Sequence, residues 1–379
     1  MRKETKAVHT PFQKRDPYGA LSFPVYNTVA YEFDTAQAMT EAFAGRVPEP
    51  DYSRVMNPTV THFENRVKAL SGADNVFAMN TGMAAVLNAL LVFAEAGKTI
   101  VTSNHLFGNT FALITTTLAR LGVKAQVADF SNLELLDKTI ADDACLVFAE
   151  YITNPQLEMA DIRKLSDIAH KRGLPLIVDT TAVPFTEVDA RQLGIDVEVL
   201  SSTKYVSGGA TSLGGLILDY GTFAEVKQRI SFEFLFNLGA YMTPQVAYMQ
   251  TIGLETLQVR YNKQAQNALD LANLLLKLPG VKRVNYPGLA HQKPLGAMLT
   301  IDLESEQRCF SFLNRLRIIR RATNLFDSKS LAIHPYSTIF VNFTPEQKQQ
   351  MDVFDTTVRL SMGLENVQDL YEDIVQALE

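Results

Sequence analysis

The chain has no tryptophan and only two cysteines, Cys145 and Cys309, among 379 residues. Two thiols cannot build a disulfide framework, which excludes the small secreted scaffolds that depend on one. Cys145 lies in the apolar run ACLVFAEY and reads as a buried, inert thiol. A basic stripe is missing too. Lys and Arg number 35 against 41 Asp and Glu, for a net charge of −6, and the two signs are interspersed. With no cationic face for a phosphate backbone, nucleic acid is not an expected partner. Nor is there a long hydrophobic run. The most apolar stretch, GMAAVLNALLVFAEAG, is shorter than the roughly 20 residues a membrane span needs and carries Asn88 and Glu95, so it reads as a buried amphipathic helix. The opening MRKETKAVHT has basic residues but no apolar run behind them, so it does not read as a secretory signal. A cytoplasmic enzyme or binding protein is the expectation, with 47% apolar and 20% charged residues and length enough for two domains.

What the chain does contain changes character along its length. The first 50 or so residues are rich in Pro, Gly and Tyr (DPYGALSFPVYNTVAYEF) and show no sustained period, which reads as an extended arm. From about 74 to 220, seven short apolar runs follow: DNVFAMN, TIVTSN, KAQVADF, CLVFAEY, LPLIVDTT, VEVLSSTK and GGLILDY. Helical patterns such as 83–96, 110–121 and 161–172 separate most of them. Strands apolar on both faces, alternating with helices, indicate an α/β domain around a largely parallel sheet. After Tyr220 the alternation stops. A long helical pattern runs from Pro244 to Pro279-Gly280, then come strand-like VKRVNYP and AMLTIDL, a helix over 306–316, VRLSMGL and a last helix at 367–378. That looser order reads as a smaller α+β domain. The division is an arm at 1–55, a large domain at 56–240 and a small one at 241–379.

In an open parallel sheet, ligands bind beyond the carboxyl ends of the strands, so polar residues at those ends carry the information. DNVFAMN gives way to Thr81-Gly82-Met83 and a helix, whose free amides would suit a phosphate, though a plain strand-to-helix turn looks the same. LPLIVDTT ends on Asp179, a carboxylate that needs a cation, a cap or a ligand. VEVLSSTK ends on Lys204, after Ser201 and Thr203 and before the glycine-rich VSGGATSLGG. A lysine there either snorkels to solvent or has the lowered pKa of an imine-forming amine. Together the three features match pyridoxal phosphate, which needs an anion site, a carboxylate on its ring nitrogen and a lysine. Thr81, Gly82, Met83, Ser201 and Thr203 would hold the phosphate, and Asp179 the protonated ring nitrogen. A nucleotide site is the competing reading for such a sheet, but neither G-x-G-x-x-G after the first clear strand nor G-x-x-x-x-G-K-[ST] is present.

The sequence closely resembles the Cys/Met-metabolism, or transsulfuration, family of pyridoxal-phosphate enzymes. DVEVLSSTKYVSGG is similar to that family's lysine signature, which makes Lys204 the lysine that carries the cofactor; it departs at Gly209–Ala210, where many members have His-Ser or His-Ala. YSRVMNPT resembles a phosphate-binding segment through which Tyr52 and Arg54 would reach the neighbouring subunit's cofactor, Tyr52 also touching substrate. NTGMAA resembles the phosphate loop, EYITNP places Asn154 near substrate, and VDTT gives Thr181 a role supporting Asp179. GLETLQVR and VNYPGL recur as well. SKSLAIHP brings Ser330 to the substrate, and VRLSMGLENVQDL makes Arg359 the clamp for its α-carboxylate, as arginine's fork suits. On residues alone, Arg359 reads equally as a surface ion pair. The resemblance implies the aspartate-aminotransferase-like transferase fold (fold type I), with a mostly parallel seven-stranded sheet and a smaller C-terminal α+β domain. It also implies a homotetramer with active sites shared between two subunits.

Members differ in what attacks and what leaves. At HLFGNT the resemblance puts an aromatic ring over the cofactor, usually tyrosine; here it is Phe107, which stacks but cannot donate a proton to a leaving thiolate. Asn109 stands where many methionine-degrading lyases have cysteine. Lys329 is like the lysine of the sulfhydrylase branch, although a solvated loop lysine looks the same. By the same resemblance, the chain is shorter between Pro287-Gly288-Leu289 and Gly296, where relatives have a longer loop. The expectation is an O-acyl-homoserine sulfhydrylase that makes homocysteine by γ-replacement with sulfide or another small thiol. A carbon–sulfur lyase acting on cystathionine, methionine or homocysteine is the alternative, with cystathionine γ-synthase close behind.

Overall fold

The structure, a computed structural model, describes residues 2–9 and 18–379. Met1 and residues 10–17 of the expected arm lie outside the described residues. All seven apolar runs form strands: β1 (Asn75–Met79), β2 (Thr99–Ser103), β3 (Lys124–Ala128), β4 (Ala144–Glu150), β5 (Leu176–Asp179), β6 (Val197–Leu200) and β7 (Gly215–Asp219). They make one seven-stranded sheet in the order β1-β7-β6-β5-β4-β2-β3. Only β7 runs against its neighbours, β1 and β6; the pairs among β2–β6 are parallel.

The strands lack polar alternation because both faces are covered. On β4, Leu146 and Phe148 join the core beneath the helix Gly82–Phe93, while Val147 and Ala149 join the core beneath the helix Ile162–His170. Ile177 and Val178 of β5 divide in the same way, as period-2 side chains must. Thr81 caps the first of these helices, its hydroxyl accepting from Ala84 N at 3.0 Å. Asp161 caps the second.

A second, five-stranded sheet holds β8 (Arg283–Asn285), β9 (Met298–Asp302), β10 (Arg320–Arg321), β11 (Leu331–Ile333) and β12 (Thr357–Ser361), in the order β10-β11-β12-β9-β8. Its pairs are antiparallel except β10–β11. The sequence reading misses β10 and β11, which are too short to show a period. It also runs one helix through Thr256, where the structure has two, Pro244–Glu255 and Leu257–Leu275, with Thr256 between them at φ −109° and ψ 3°. The expected helix at 110–121 starts as Gly108–Ala112, widens over Leu113–Thr117 and tightens over Leu118–Leu121.

The arm is less extended than its composition implies. Lys3–His9 is a helix docked through its Ala7 carbonyl on the buried Arg66, which also pairs with Glu255 at 2.9 Å. Ala36–Phe43 is a second helix, capped by Thr35. Cys145 is half-buried rather than buried; burial still pushes its thiol up to about 11, so it stays unreactive at neutral pH. No helix among the described residues is long and apolar enough to cross a membrane.

Candidate active site

The carboxyl ends of β4, β5 and β6, the turn after β1 and the face of β12 enclose a cavity of about 420 Å³. Thr81, Gly82, Met83, Phe107, Asn154, Asp179, Thr181, Ser201, Thr203, Lys204 and Arg359 all line it. The turn after β1 can approach the turn after β6 only because residue 82 is glycine: a Cβ there would lie 2.6 Å from Ser201 Cβ. The amides of Gly82 and Met83, in the first turn of the helix, have no intrahelical acceptor. Ser201 N donates to Thr181 Oγ1 at 2.9 Å. Thr203 Oγ1 is already engaged with Gly214, accepting from its N at 2.9 Å and donating to its O at 3.2 Å.

Asp179 ends β5 with Oδ1 accepting from Thr181 N at 2.8 Å. Burial raises its pKa, and the Thr181 contacts pull it back only in part. Its register partner at the end of β4 is Glu150, which is 5% exposed and also lines the cavity. Glu150 Oε1 accepts from Phe107 N at 2.6 Å. Burial, then the charge of Asp179, pushes the Glu150 carboxyl well above the usual carboxylate range. Behind both, Glu198 on β6 accepts from Thr180 Oγ1 at 2.5 Å and Tyr220 Oη at 2.7 Å, and burial raises it to about 7.

Lys204 follows β6, its N bonded to Ser201 O at 3.1 Å. Its Nζ donates to Asn324 Oδ1 at 2.7 Å, and burial, with the Arg359 charge, pushes its pKa down to about 8. It is the half-buried, low-pKa amine rather than the snorkelling one. Arg359 is 3% exposed, in register with Thr300 of β9 and Ile333 of β11. Its Nη1 donates to Asn154 Oδ1 at 2.9 Å, while its Nε is buried without an acceptor. No carboxylate pairs with it among the described residues, and burial pushes its pKa down to about 9. Arg359 is thus not a surface ion pair but a buried cation facing a cavity.

Four expected residues lie elsewhere. Tyr52 is 41% exposed beneath the Arg54 guanidinium, 5.4 Å from its ring centroid, and Arg54 Nη1 donates to the carbonyls of Leu235 and Phe236. Neither lines the cavity of its own chain. Ser330 is fully buried and does not line it: its hydroxyl donates to Glu365 Oε2 at 2.8 Å and accepts from Gly363 N at 2.9 Å. Lys329 is exposed and sits 3.6 Å from Asp327. The lining residues Thr323 and Leu325 and the lysine's partner Asn324 take the place expected of that segment. Sequence reasoning missed them because RATNLFD has no period. It missed Glu150 although the signal that found Asp179, a carboxylate closing an apolar strand, is present there too. The short loop before β9 is closed onto Tyr286, whose Oη accepts from Leu295 N at 2.8 Å and donates to Gly296 O at 3.1 Å.

These residues fit pyridoxal phosphate. A glycine-built anion cradle, a half-buried carboxylate, a low-pKa lysine and a buried guanidinium without a carboxylate partner open on one space. The family model described as Cys/Met metabolism PLP-dependent enzyme matches residues 4–379. An L-methionine gamma-lyase of Fusobacterium nucleatum is 34% identical, covering 99% of this chain and 97% of its own. An O-succinylhomoserine sulfhydrylase of Pseudomonas aeruginosa is 32% identical over 97% of this chain and 93% of its own. A Campylobacter jejuni protein described as an O-acetylhomoserine (thiol)-lyase superposes with a TM-score of 0.96 and 32% identity over 100% of both chains; its crystal structure carries N'-pyridoxyl-lysine-5'-monophosphate. The chain belongs to the pyridoxal-phosphate-dependent enzymes of cysteine and methionine metabolism, and pyridoxal 5'-phosphate is its cofactor.

Proposed function

We propose that this enzyme is an O-acyl-homoserine sulfhydrylase that makes homocysteine by replacing the γ-acyloxy group with sulfide. The observation that carries this reading is the chemistry of the cavity wall. Its titratable lining residues are Glu150, Asp179, Lys204 and Arg359, and Phe107 puts a phenyl ring where a proton donor would serve a leaving thiolate. A carboxylate, with a pKa of about 4, leaves without a proton; a thiolate, with a pKa of about 8.5, leaves far less readily. A site without that donor suits an ester substrate.

Bound pyridoxal phosphate supplies an electron sink for negative charge developed at the substrate's α- and β-carbons. Lys204 holds the cofactor covalently. Once displaced by the substrate amine, its Nζ removes the proton from Cα and carries protons to and from the neighbouring carbons, a role that its depressed pKa of about 8 favours. Asp179, set by Thr181, would accept the hydrogen bond of the protonated ring nitrogen and keep that proton in place. Thr81, Gly82, Met83, Ser201 and Thr203 bind phosphate, and Phe107 stacks on the ring. Arg359 and Asn154 bind the substrate α-carboxylate, which gives the buried Nε its missing partner.

Tyr52 and Arg54 would complete the site of a neighbouring subunit, Tyr52 on the substrate side, in a homotetramer built from dimers. Support comes from the exposure of Tyr52, together with that of Tyr18, Leu21, Val25, Tyr26 and Val29 on the arm. The division into an arm at 1–55 and domains at 56–240 and 241–379 has its support in the two sheets, the first ending at Asp219 and the second beginning at Arg283. We place the enzyme in the cytoplasm.

Similarity to methionine γ-lyases favours a second reading, elimination from a sulfur amino acid. A paired assay separates the two: O-acetyl-L-homoserine with and without sulfide, scored for homocysteine against 2-oxobutyrate. Homocysteine formed with sulfide is the expected result. Steady 2-oxobutyrate with little homocysteine would overturn it.

A further inference from the structure

Glu150 has no part in the scheme above, yet it lines the same cavity and is almost wholly buried. It closes β4 opposite Asp179, so the two carboxyl groups project from neighbouring parallel strands at one level. Its Oε1 takes the amide of Phe107 at 2.6 Å, and the Asn154 amide lies close enough to favour its charged form. Phe107 and Asn154 both line the cavity from different turns: the first gives its aromatic ring, and the second holds Arg359 at 2.9 Å. One buried carboxyl group therefore faces the backbone of both turns.

We propose that Glu150 is a positioning residue: its carboxyl holds the Phe107 turn, and with it the wall that carries Asn154 and Arg359, in fixed register with Asp179. No cation neutralises the pair of carboxyl groups among the described residues, and both cannot stay ionised side by side. Burial, then the charge of Asp179, pushes the Glu150 carboxyl up, and the bond from Phe107 N does not need its charge. A neutral Glu150 still accepts from Phe107 N through its carbonyl oxygen. Its hydrogen bond, not its charge, is the working feature, so glutamine should replace it. The inference rests on the proposed placement of the cofactor but not on which reaction follows.

The test compares wild type, Glu150→Gln and Glu150→Ala. In the apoprotein, amide hydrogen exchange at Phe107 is expected to speed up about tenfold or more in Glu150→Ala and to stay within about threefold of wild type in Glu150→Gln. In the holoenzyme, Glu150→Ala should weaken the visible circular dichroism of the bound cofactor and raise KM for the amino-acid substrate at least as much as it lowers kcat, and Glu150→Gln should restore both. Wild-type exchange and dichroism in Glu150→Ala would overturn the proposal. So would a Glu150→Gln protein as disturbed as Glu150→Ala, since the charge would then be what matters. If Glu150→Ala does not fold, exchange at Phe107 in Glu150→Gln decides alone: protection supports the proposal and its loss sinks it. A Lys204→Ala protein that still fixes cofactor covalently on borohydride reduction would instead refute the placement, leaving the apoprotein result to stand by itself.

Discussion

Lys204 Nζ donates to Asn324 Oδ1 at 2.7 Å, which tethers the cavity's lysine from the turn after β6 to the segment between β10 and β11. Burial, then the Arg359 charge, pushes the amine down to about 8. Below that pH it is an ammonium and cannot attack a carbonyl; above it the neutral amine can. Reconstitution of apoenzyme with pyridoxal phosphate, followed by visible absorbance, should therefore quicken as pH rises through about 8. Asn324→Ala removes an acceptor that favours the ammonium, so this midpoint should move to lower pH and kcat should fall about threefold to tenfold. An unchanged midpoint together with unchanged kcat would dismiss the tether.

Arg359 is a buried cation whose Nε has no acceptor and whose Nη1 bonds to the amide oxygen of Asn154. Such a charge costs stability until an anion arrives. Arg359→Met should raise KM for the amino-acid substrate about 10- to 100-fold, the worth of a charged hydrogen-bond pair, while leaving the melting temperature of the free enzyme equal or higher. A fall in melting temperature of several degrees would mean that Arg359 is structural.

Much of this arrangement was legible before the structure. Seven apolar runs became seven strands because a sheet covered on both faces has no polar alternation to blur the signal. Asp179 and Lys204 stood out because a charge that closes such a run is costly without a use. Glu150 carried the same signal and was passed over. Asn324 was illegible, since a loop residue's partner 120 positions away leaves no local pattern. The motif that suggests a substrate role for Ser330 is local, whereas the bonds of its hydroxyl to Glu365 and Gly363 are contacts that no local pattern shows. Tyr52 and Arg54 do not line this chain's cavity, and only the proposed assembly would give them a site to complete.

His105 joins the two walls farther out. Its Nδ1 lies 2.5 Å from Glu158 Oε2 and its Nε2 3.0 Å from Asp352 Oδ2, with Asp129 also nearby. Burial opposes the imidazolium, but the contacts with Glu158 and Asp352 outweigh it, so the pKa is raised above 6.5. The stabilisation is then fully present below the unfolded value of 6.5 and is lost as pH rises through the raised folded value. Both carboxylates are more than half exposed, so the effect is about 1 kcal/mol. Urea unfolding of His105→Gln should show the largest loss against wild type at about pH 6 and a shrinking one above it. A loss that does not vary with pH would rule out the charged bridge.

Phe107 decides the balance between replacement and elimination if the leaving group's proton is what limits elimination. The turn that presents it is held from behind, Phe107 N on Glu150 Oε1 at 2.6 Å, so a tyrosine would keep the ring's place and add only a hydroxyl. With the hydroxyl present, a thiolate leaves as a thiol, and general acid catalysis of this kind is worth about 100-fold or more when the donor is well placed. Ester substrates gain little, because a carboxylate needs no proton to depart. Phe107→Tyr should therefore raise 2-oxobutyrate release from methionine or cystathionine about tenfold or more relative to homocysteine formation from O-acetyl-L-homoserine and sulfide. An unchanged ratio of the two rates would show that the missing hydroxyl does not set the reaction. The preference for an ester would then have to come from the nucleophile's access to the cavity, which Leu213, Thr323 and Ile339 also line.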